Sequence, residues 1–518
     1  MTPATRPTLI VGAGPAGLTA AYVLAGNGKP VLVLEKDAQV GGIARTVEYK
    51  GFRFDIGGHR FFTKVGPIND LWRTVMGGEM LKRPRLSRIY YGGKYFDYPL
   101  KPVNALRGLG VVNAVRIVLS YVWSRIRPVT PEVSFEDWVS NRFGRRLYET
   151  FFKTYTEKVW GIPCHTIGAQ WAAQRIKGLS LWTAVVNMLF RRFSQPKSAV
   201  IKTLIEQFDY PRLGPGQMWE AFEKQVTAMG GVVALQSDVE RLIVEGGRVV
   251  AAEYRRNGQI EHVDVEAVIS TMPLRQLVSS ISPPAPAEVR AAAARLNYRD
   301  FLTVALVIDQ EDVFPDNWIY IHDPGVKLGR IQNFKNWSPD LVPDPSKTCL
   351  GLEYFCFEGD GLWTMTDAEL VALGRREIGL LKLADPAKVI DGTVVRMPKA
   401  YPVYDQGYEQ ALGVVRSWID GIANLQVAGR NGMHKYNNQD HSMVTAMLAA
   451  KHLMGHPADP WSVNVDEEYH EAAGEDLGTD LRDLLRTQPE VPSLVGASRA
   501  APSVVPPLVP SRPVADAN

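Results

Sequence analysis

Thr8-Leu-Ile-Val11 runs straight into Gly12-Ala-Gly14-Pro-Ala-Gly17, and a second apolar run, Pro30-Val-Leu-Val-Leu34, ends in Glu35. The pattern reads strand, glycine turn, alanine-rich helix, strand, acid. Gly12 supplies the tight turn, Gly14 lets backbone approach a pyrophosphate, and Gly17 lets helix and strand pack closely. The helix start then offers free N–H groups and the positive end of its dipole to phosphates. Glu35, about twenty residues on, suits a carboxylate that binds ribose hydroxyls; its neighbour Lys36 falls at the same end. Strand, turn, helix and acid together imply a Rossmann-like dinucleotide-binding unit, but they do not choose between NAD and FAD.

Working outward, 518 residues exceed what one compact core organises, so two or three interleaved domains are expected. Residues 97–209 carry helical patterns punctuated by Pro99, Pro128, Pro131, Pro163 and Pro196. Short β runs return at 231–235, 248–254 and 267–271, then at 301–309 and 350–357. A strand, a glycine turn and a helix over 443–453 follow. The expected division is a discontinuous cofactor-binding domain (1–96, 210–275 and 396–460), a helical insertion (97–209) and an antiparallel sheet domain for substrate (276–395). Residues 489–518, rich in proline, alanine and serine, read as a disordered tail.

A net charge of +3 with no basic block argues against a nucleic-acid grip. Cys164, Cys349 and Cys356 match no metal spacing and read as buried thiols in a reducing, cytoplasmic setting. The N-terminus lacks the pattern of a secretory signal. The most apolar later stretch, 109–123, is interrupted by Arg116 and is too short to span a bilayer. It reads as a buried or amphipathic helix, with peripheral membrane contact as the alternative.

The segment after Glu35 narrows the cofactor. Val40-Gly41-Gly42-Ile43-Ala44-Arg45-Thr46 and Gly51-Phe-Arg-Phe-Asp-Ile-Gly57-Gly58-His59 resemble the extended fingerprint of the FAD superfamily of amine oxidases, protoporphyrinogen oxidases and UDP-galactopyranose mutases. Asp238-Val239 and Val268-Ile-Ser-Thr-Met-Pro273 match later positions of that group. The resemblance implies FAD, a doubly wound α/β fold, and phosphate contacts from Gly41, Gly42 and Arg45.

Four segments are similar to the mutase branch in particular. Gly57-Gly58-His59 matches a loop whose histidine lies beside the isoalloxazine. Lys158-Val-Trp160-Gly-Ile-Pro163, followed by Gln174-Arg175, matches a segment with a diphosphate-binding arginine. Arg330-Ile-Gln-Asn333-Phe-Lys-Asn-Trp-Ser-Pro339 matches the strand of a second such arginine. Gly429-Arg430 and Lys435-Tyr436-Asn-Asn438-Gln439-Asp440-His-Ser442 match the last flavin turn. The resemblance implies a catalytic set of His59, Arg175, Arg330 and Tyr436. Substrate contacts are expected from Trp160, Asn333 and Tyr404 as well. The implied activity is pyranose–furanose interconversion of a nucleotide sugar, with reduced flavin as nucleophile and NAD(P)H as reductant. Tyr436-Asn-Asn-Gln-Asp440 is two residues shorter than the eukaryotic mutase pattern. Lys399-Ala-Tyr-Pro-Val-Tyr404-Asp-Gln-Gly407 looks as much like the oxidase branch, so an FAD-dependent oxidase or desaturase stays open.

Overall fold

The structure is a computed structural model that describes residues 6–63, 65–98, 100, 104, 108–169, 207–463 and 481–485. Arg175 and the tail 489–518 lie outside these residues.

Five parallel strands form the central sheet, in the order Leu425–Val427, Ala267–Ser270, Thr8–Val11, Val31–Leu34, Val232–Ala234. All residues of Thr8–Val11, Val31–Leu34 and Ala267–Ser270 are buried, as unbroken apolar runs in parallel sheets demand. Alternate side chains feed two cores. Ile10, Val33 and Ile269 face the helices Pro15–Gly26, Gly66–Met76, Gly216–Ala228 and Gln439–Leu453. Leu9, Val11, Leu32, Leu34 and Val268 face a small sheet (Ser237–Glu245, Arg248–Arg256, Gln259–Asp264) and the helices Leu274–Ser280, Ala287–Ala294 and Tyr408–Ile419. The fold is thus an α/β architecture with both faces of its parallel sheet covered. The strands' carboxyl ends point the same way, toward the edge where such sheets bind ligands.

The second large sheet has seven strands, in the order Val389–Pro402, Tyr298–Ile308, Thr348–Cys356, Arg330–Asn333, Trp318–Ile321, Ser87–Tyr91, Lys94–Asp97. It is antiparallel apart from one parallel pair, Trp318–Ile321 with Ser87–Tyr91. By pairing, the hairpin Ser87–Asp97 extends this sheet, not the cofactor domain that 1–96 assigned it to. Ile281–Ser282 instead pairs with Ser237–Glu245, on the cofactor side of the 275/276 division. Strand periodicity identifies a strand without saying which sheet edge it completes, and that is why those boundaries shift.

A helical layer rests on the hairpin. Val111–Ile126 and Phe135–Phe143 join the turns that follow, and Ser134 starts the second helix with a reciprocal cap to Asp137. Their apolar faces share one cluster with Trp160, Tyr401 and Tyr436, so this layer backs one end of the site. Cys164, Cys349 and Cys356 are all buried and unpaired. Among the described residues no helix is long and apolar enough to cross a membrane.

Candidate active site

The fingerprint glycines are explained by what a Cβ would meet. At Gly17 it would lie 1.8 Å from the Gly12 carbonyl oxygen, a backbone collision that enforces glycine. At Gly12, with φ of +98°, it would lie 2.3 Å from Thr271 Oγ1. At Gly14 it would meet nothing nearer than the Gly42 Cα, 3.9 Å away. Gly14 is therefore not dictated by packing; together with Gly42 it borders a cavity of about 880 Å³. The helix Pro15–Gly26 starts at Gly14 without a side-chain cap, so its first N–H groups are free for a ligand.

Glu35 lines the same cavity and is buried. Its carboxylate accepts the Ala13 N–H (2.6 Å) and the Asp37 N–H (2.9 Å). Burial raises its pKa and these two bonds pull it back. Lys36, Arg45 and Val239 also line the cavity, and Arg45 pairs with Asp37 at 2.6 Å. Gly41 does not face it: with φ of +100° it makes the turn, and a Cβ there would press on Arg45 at 3.1 Å. The open Gly14–Gly42 approach, the uncapped helix start and the terminal acid fit an FAD of the dinucleotide type. Gly429 and Arg430, in the short helix Gly429–Gly432, and Asn438, Gln439, Asp440 and Ser442, at the start of the helix Gln439–Leu453, line the same space.

The loop Gly57-Gly58-His59 forms another wall. A Cβ on Gly58 would lie 2.8 Å from Gln332 Nε2 and 3.3 Å from the Trp337 ring, so the glycine lets the loop lie close on the second sheet. His59 Nδ1 is buried with no partner among the described residues. Burial, with Arg430 and Arg330 nearby, pushes the imidazole down to about 3, so it is neutral near pH 7. Arg330 lies against Gly57 and lines the cavity. Its Nε donates to Glu353 Oε2 at 2.5 Å, and Gln332 Nε2 donates to Glu353 Oε1 at 2.6 Å. Glu353 is fully buried directly opposite Arg330 on the neighbouring strand. Its burial raises the carboxyl's pKa, opposed first by the guanidinium and then by the Gln332 bond.

Arg430 has no carboxylate within ion-pair distance among the described residues. It donates to the carbonyls of Asn437 (3.0 Å) and Ala400 (3.2 Å). Its guanidinium sits 5.2 Å from the Tyr401 ring and 4.7 Å from the Tyr436 ring. Those rings stack at 5.6 Å with planes 13° apart. The result is a cationic, aromatic-walled end to the cavity, with a neutral imidazole beside it.

Of the sequence-derived substrate residues, Arg330 and Tyr436 meet here with His59. Three others stand back. Trp160 is buried behind the wall, 6.5 Å from both Tyr401 and Tyr436. Tyr404 accepts the Tyr436 N–H at 2.6 Å and so positions that residue. Asn333 points away, with Nδ2 donating to the Phe314 carbonyl at 3.0 Å, because strand alternation turns it opposite to Arg330 and Gln332. Sequence reasoning missed Tyr401 and Arg60, which line the cavity, and Glu353, which holds Arg330. Tyr401 lay within the quoted 399–407 segment, and alternation along the long strand Val389–Pro402 was the available signal. Glu353 could be found only through strand register.

Comparison with known proteins agrees with this fold. The structure is similar to that of reduced UDP-galactopyranose mutase, with a TM-score of 0.75 and 20% identity over 93% of this chain and 99% of the other. It is also similar to a protein of Exiguobacterium sp. 255-15 assigned as a protoporphyrinogen oxidase, with a TM-score of 0.66 and 16% identity over 87% and 98% of the two chains. In sequence, an L-amino acid oxidase of Crotalus durissus cumanensis is 48% identical over 111 residues, 19% of this chain and 22% of the oxidase. An inactive all-trans-retinol 13,14-reductase of Danio rerio is 47% identical over 68 residues, 13% of this chain and 11% of its own length. The chain thus spans about a tenth to a fifth of the length of these curated relatives. The family model of flavin-containing amine oxidoreductases matches residues 15–451, and the chain belongs to that family, as an enzyme that takes FAD.

Proposed function

We propose that the chain is a nucleotide-sugar mutase that interconverts the pyranose and furanose forms of a sugar bound to a nucleoside diphosphate. The observation that carries this reading is Arg430, a guanidinium held by carbonyls and, among the described residues, by no carboxylate, in the cavity that Arg330 also lines. Its positive charge is left for a ligand, and a pyrophosphate supplies the matching oxygens. Likeness to a UDP-galactopyranose mutase along nearly the whole chain supports the same substrate class. Bound and reduced, FAD supplies the nucleophile of such a reaction, with NAD(P)H as the proposed reductant.

The chain's own residues bind and orient. Arg430 and Arg330 hold the leaving diphosphate. The stacked Tyr401 and Tyr436 give the sugar a flat wall and exclude water. Neutral His59 offers Nδ1 to a hydroxyl without adding charge. Arg175 is proposed as a third diphosphate contact.

One observation favours a second reading, an FAD-dependent oxidase or desaturase. The charge of Arg330 is already answered by Glu353, and a substrate without phosphate would leave that pair undisturbed. Titration of the reduced enzyme with UDP and UDP-sugars, followed by flavin fluorescence, separates the two. The mutase reading expects saturable binding that Arg430→Ala weakens about ten- to a hundredfold, the loss of one charge-assisted bond. If no nucleotide sugar binds, the oxidoreductase reading stands.

A further inference from the structure

The helix Val111–Ile126 turns its polar requirements inside out. Ile117, Tyr121 and Ser124 are buried on the side packed against the helix Phe135–Phe143 and the turn Arg145–Leu147, while Val112, Val115, Leu119, Val122, Trp123 and Ile126 face outward. Leu119 is 63% exposed, Trp123 59% and Ile126 67%. At about 100° per residue these positions fill one continuous arc of roughly 100°. Arg116 and Arg127 fall just beyond one edge of the arc and Arg125 beyond the other. Arg127 also lies over the Trp123 ring at 5.0 Å. Between Tyr98 and Pro131 the sequence holds five Lys or Arg and no Asp or Glu. Among the acids that follow this stretch, Glu132 pairs with Arg142, and Glu136 and Glu149 pair with Arg145.

We infer that this helix docks the protein on an anionic lipid surface, lying in the plane of the headgroups. Continuous apolar residues would enter the acyl boundary, the tryptophan would sit at the interface, and arginines on both edges would meet lipid phosphates. A second copy of the chain fits this face poorly. A two-fold contact would set each arginine flank against its own equivalent, and the stretch carries no acid to answer it.

The test is flotation of the full-length holoenzyme with vesicles of phosphatidylcholine alone or mixed equally with phosphatidylglycerol, at low and high salt. Wild type should float with the mixed vesicles at least tenfold better than with phosphatidylcholine alone, and high salt should reduce this. Leu119→Glu with Trp123→Glu should abolish flotation while flavin content and melting temperature hold, because both side chains are exposed. Replacing Arg116, Arg125 and Arg127 with Gln, a gentler change, should cut binding to the mixed vesicles roughly a hundredfold, since each basic residue near such a surface contributes about fivefold. Equal flotation of the glutamate variant would overturn the proposal. So would absence of wild-type flotation. In that event sedimentation reads what covers the helix: a dimer split by the glutamates means a second copy, and a monomer means the chain's own remaining residues.

Discussion

Gly14 and Gly17 belong to one motif, yet substitution should break different things. A Cβ on Gly17 would sit 1.8 Å from the Gly12 oxygen and 2.9 Å from its carbonyl carbon. An ordinary contact needs more than an ångström of extra room, and both partners are backbone. Gly17→Ala must therefore push the helix Pro15–Gly26 off the strand Thr8–Val11, both of which are almost wholly buried. Overpacking of this kind costs about 1–3 kcal/mol or more. At Gly14 the backbone (φ −78°, ψ −175°) is ordinary extended geometry, and a side chain would enter the cavity. Gly14→Val should change stability by no more than about 1 kcal/mol. It should block the approach of the pyrophosphate to the free helix N–H groups. Losing two charge-assisted bonds of about 1.5 kcal/mol each weakens FAD binding at least a hundredfold. Circular dichroism and thermal melting report the fold, and absorbance of flavin released on denaturation reports the cofactor. A folded, colourless Gly14→Val and a destabilised Gly17→Ala are predicted. A yellow Gly14→Val with full FAD, or a Gly17→Ala that melts like wild type, would refute the division of roles.

Other outcomes follow from the same structure. Arg330→Ala strands the buried Glu353 and should lower stability by about 3–5 kcal/mol, read from urea midpoints; adding Glu353→Gln should recover at least half of that, and no recovery would contradict the pairing. Burial pushes the Asp55 carboxyl from 3.8 up to about 8, first through desolvation, against the opposing bond from Tyr210. A raised acid favours folding while protonated, so its contribution is full below pH 3.8 and fades as pH rises toward 8. Asp55→Asn should flatten the melting temperature across that window; an unchanged slope would remove Asp55 as its source. Deleting 489–518 should leave activity and melting temperature nearly intact, and a large fall in either would mean that the tail docks.

How far the sequence led depends on whether the chemistry is local. The cofactor site is written in glycine positions separated by a few residues, so the turn, the helix start and Glu35 were legible directly. His59, Arg330 and Tyr436 could be named because each stands in a distinctive short segment. The pairing of Arg330 with Glu353 could not, because it depends on register between strands twenty-three residues apart along the chain. Asn333 was assigned to substrate from its neighbours, yet strand alternation points it the other way. Trp160 and Tyr404 belong to the wall that supports the cavity, which composition and spacing do not distinguish from its surface. The hairpin Ser87–Asp97 shows the same limit at the level of domains.

The central claim is tested most directly by turnover. The enzyme, reduced anaerobically with dithionite, is mixed with UDP-galactopyranose and the products are separated by chromatography. The mutase account predicts a furanose isomer of equal mass, formed over many turnovers per reduced flavin, with no net consumption of reductant and no activity in the oxidised enzyme. No isomer from any nucleotide sugar, together with oxygen uptake on an amine or lipid substrate, would contradict it.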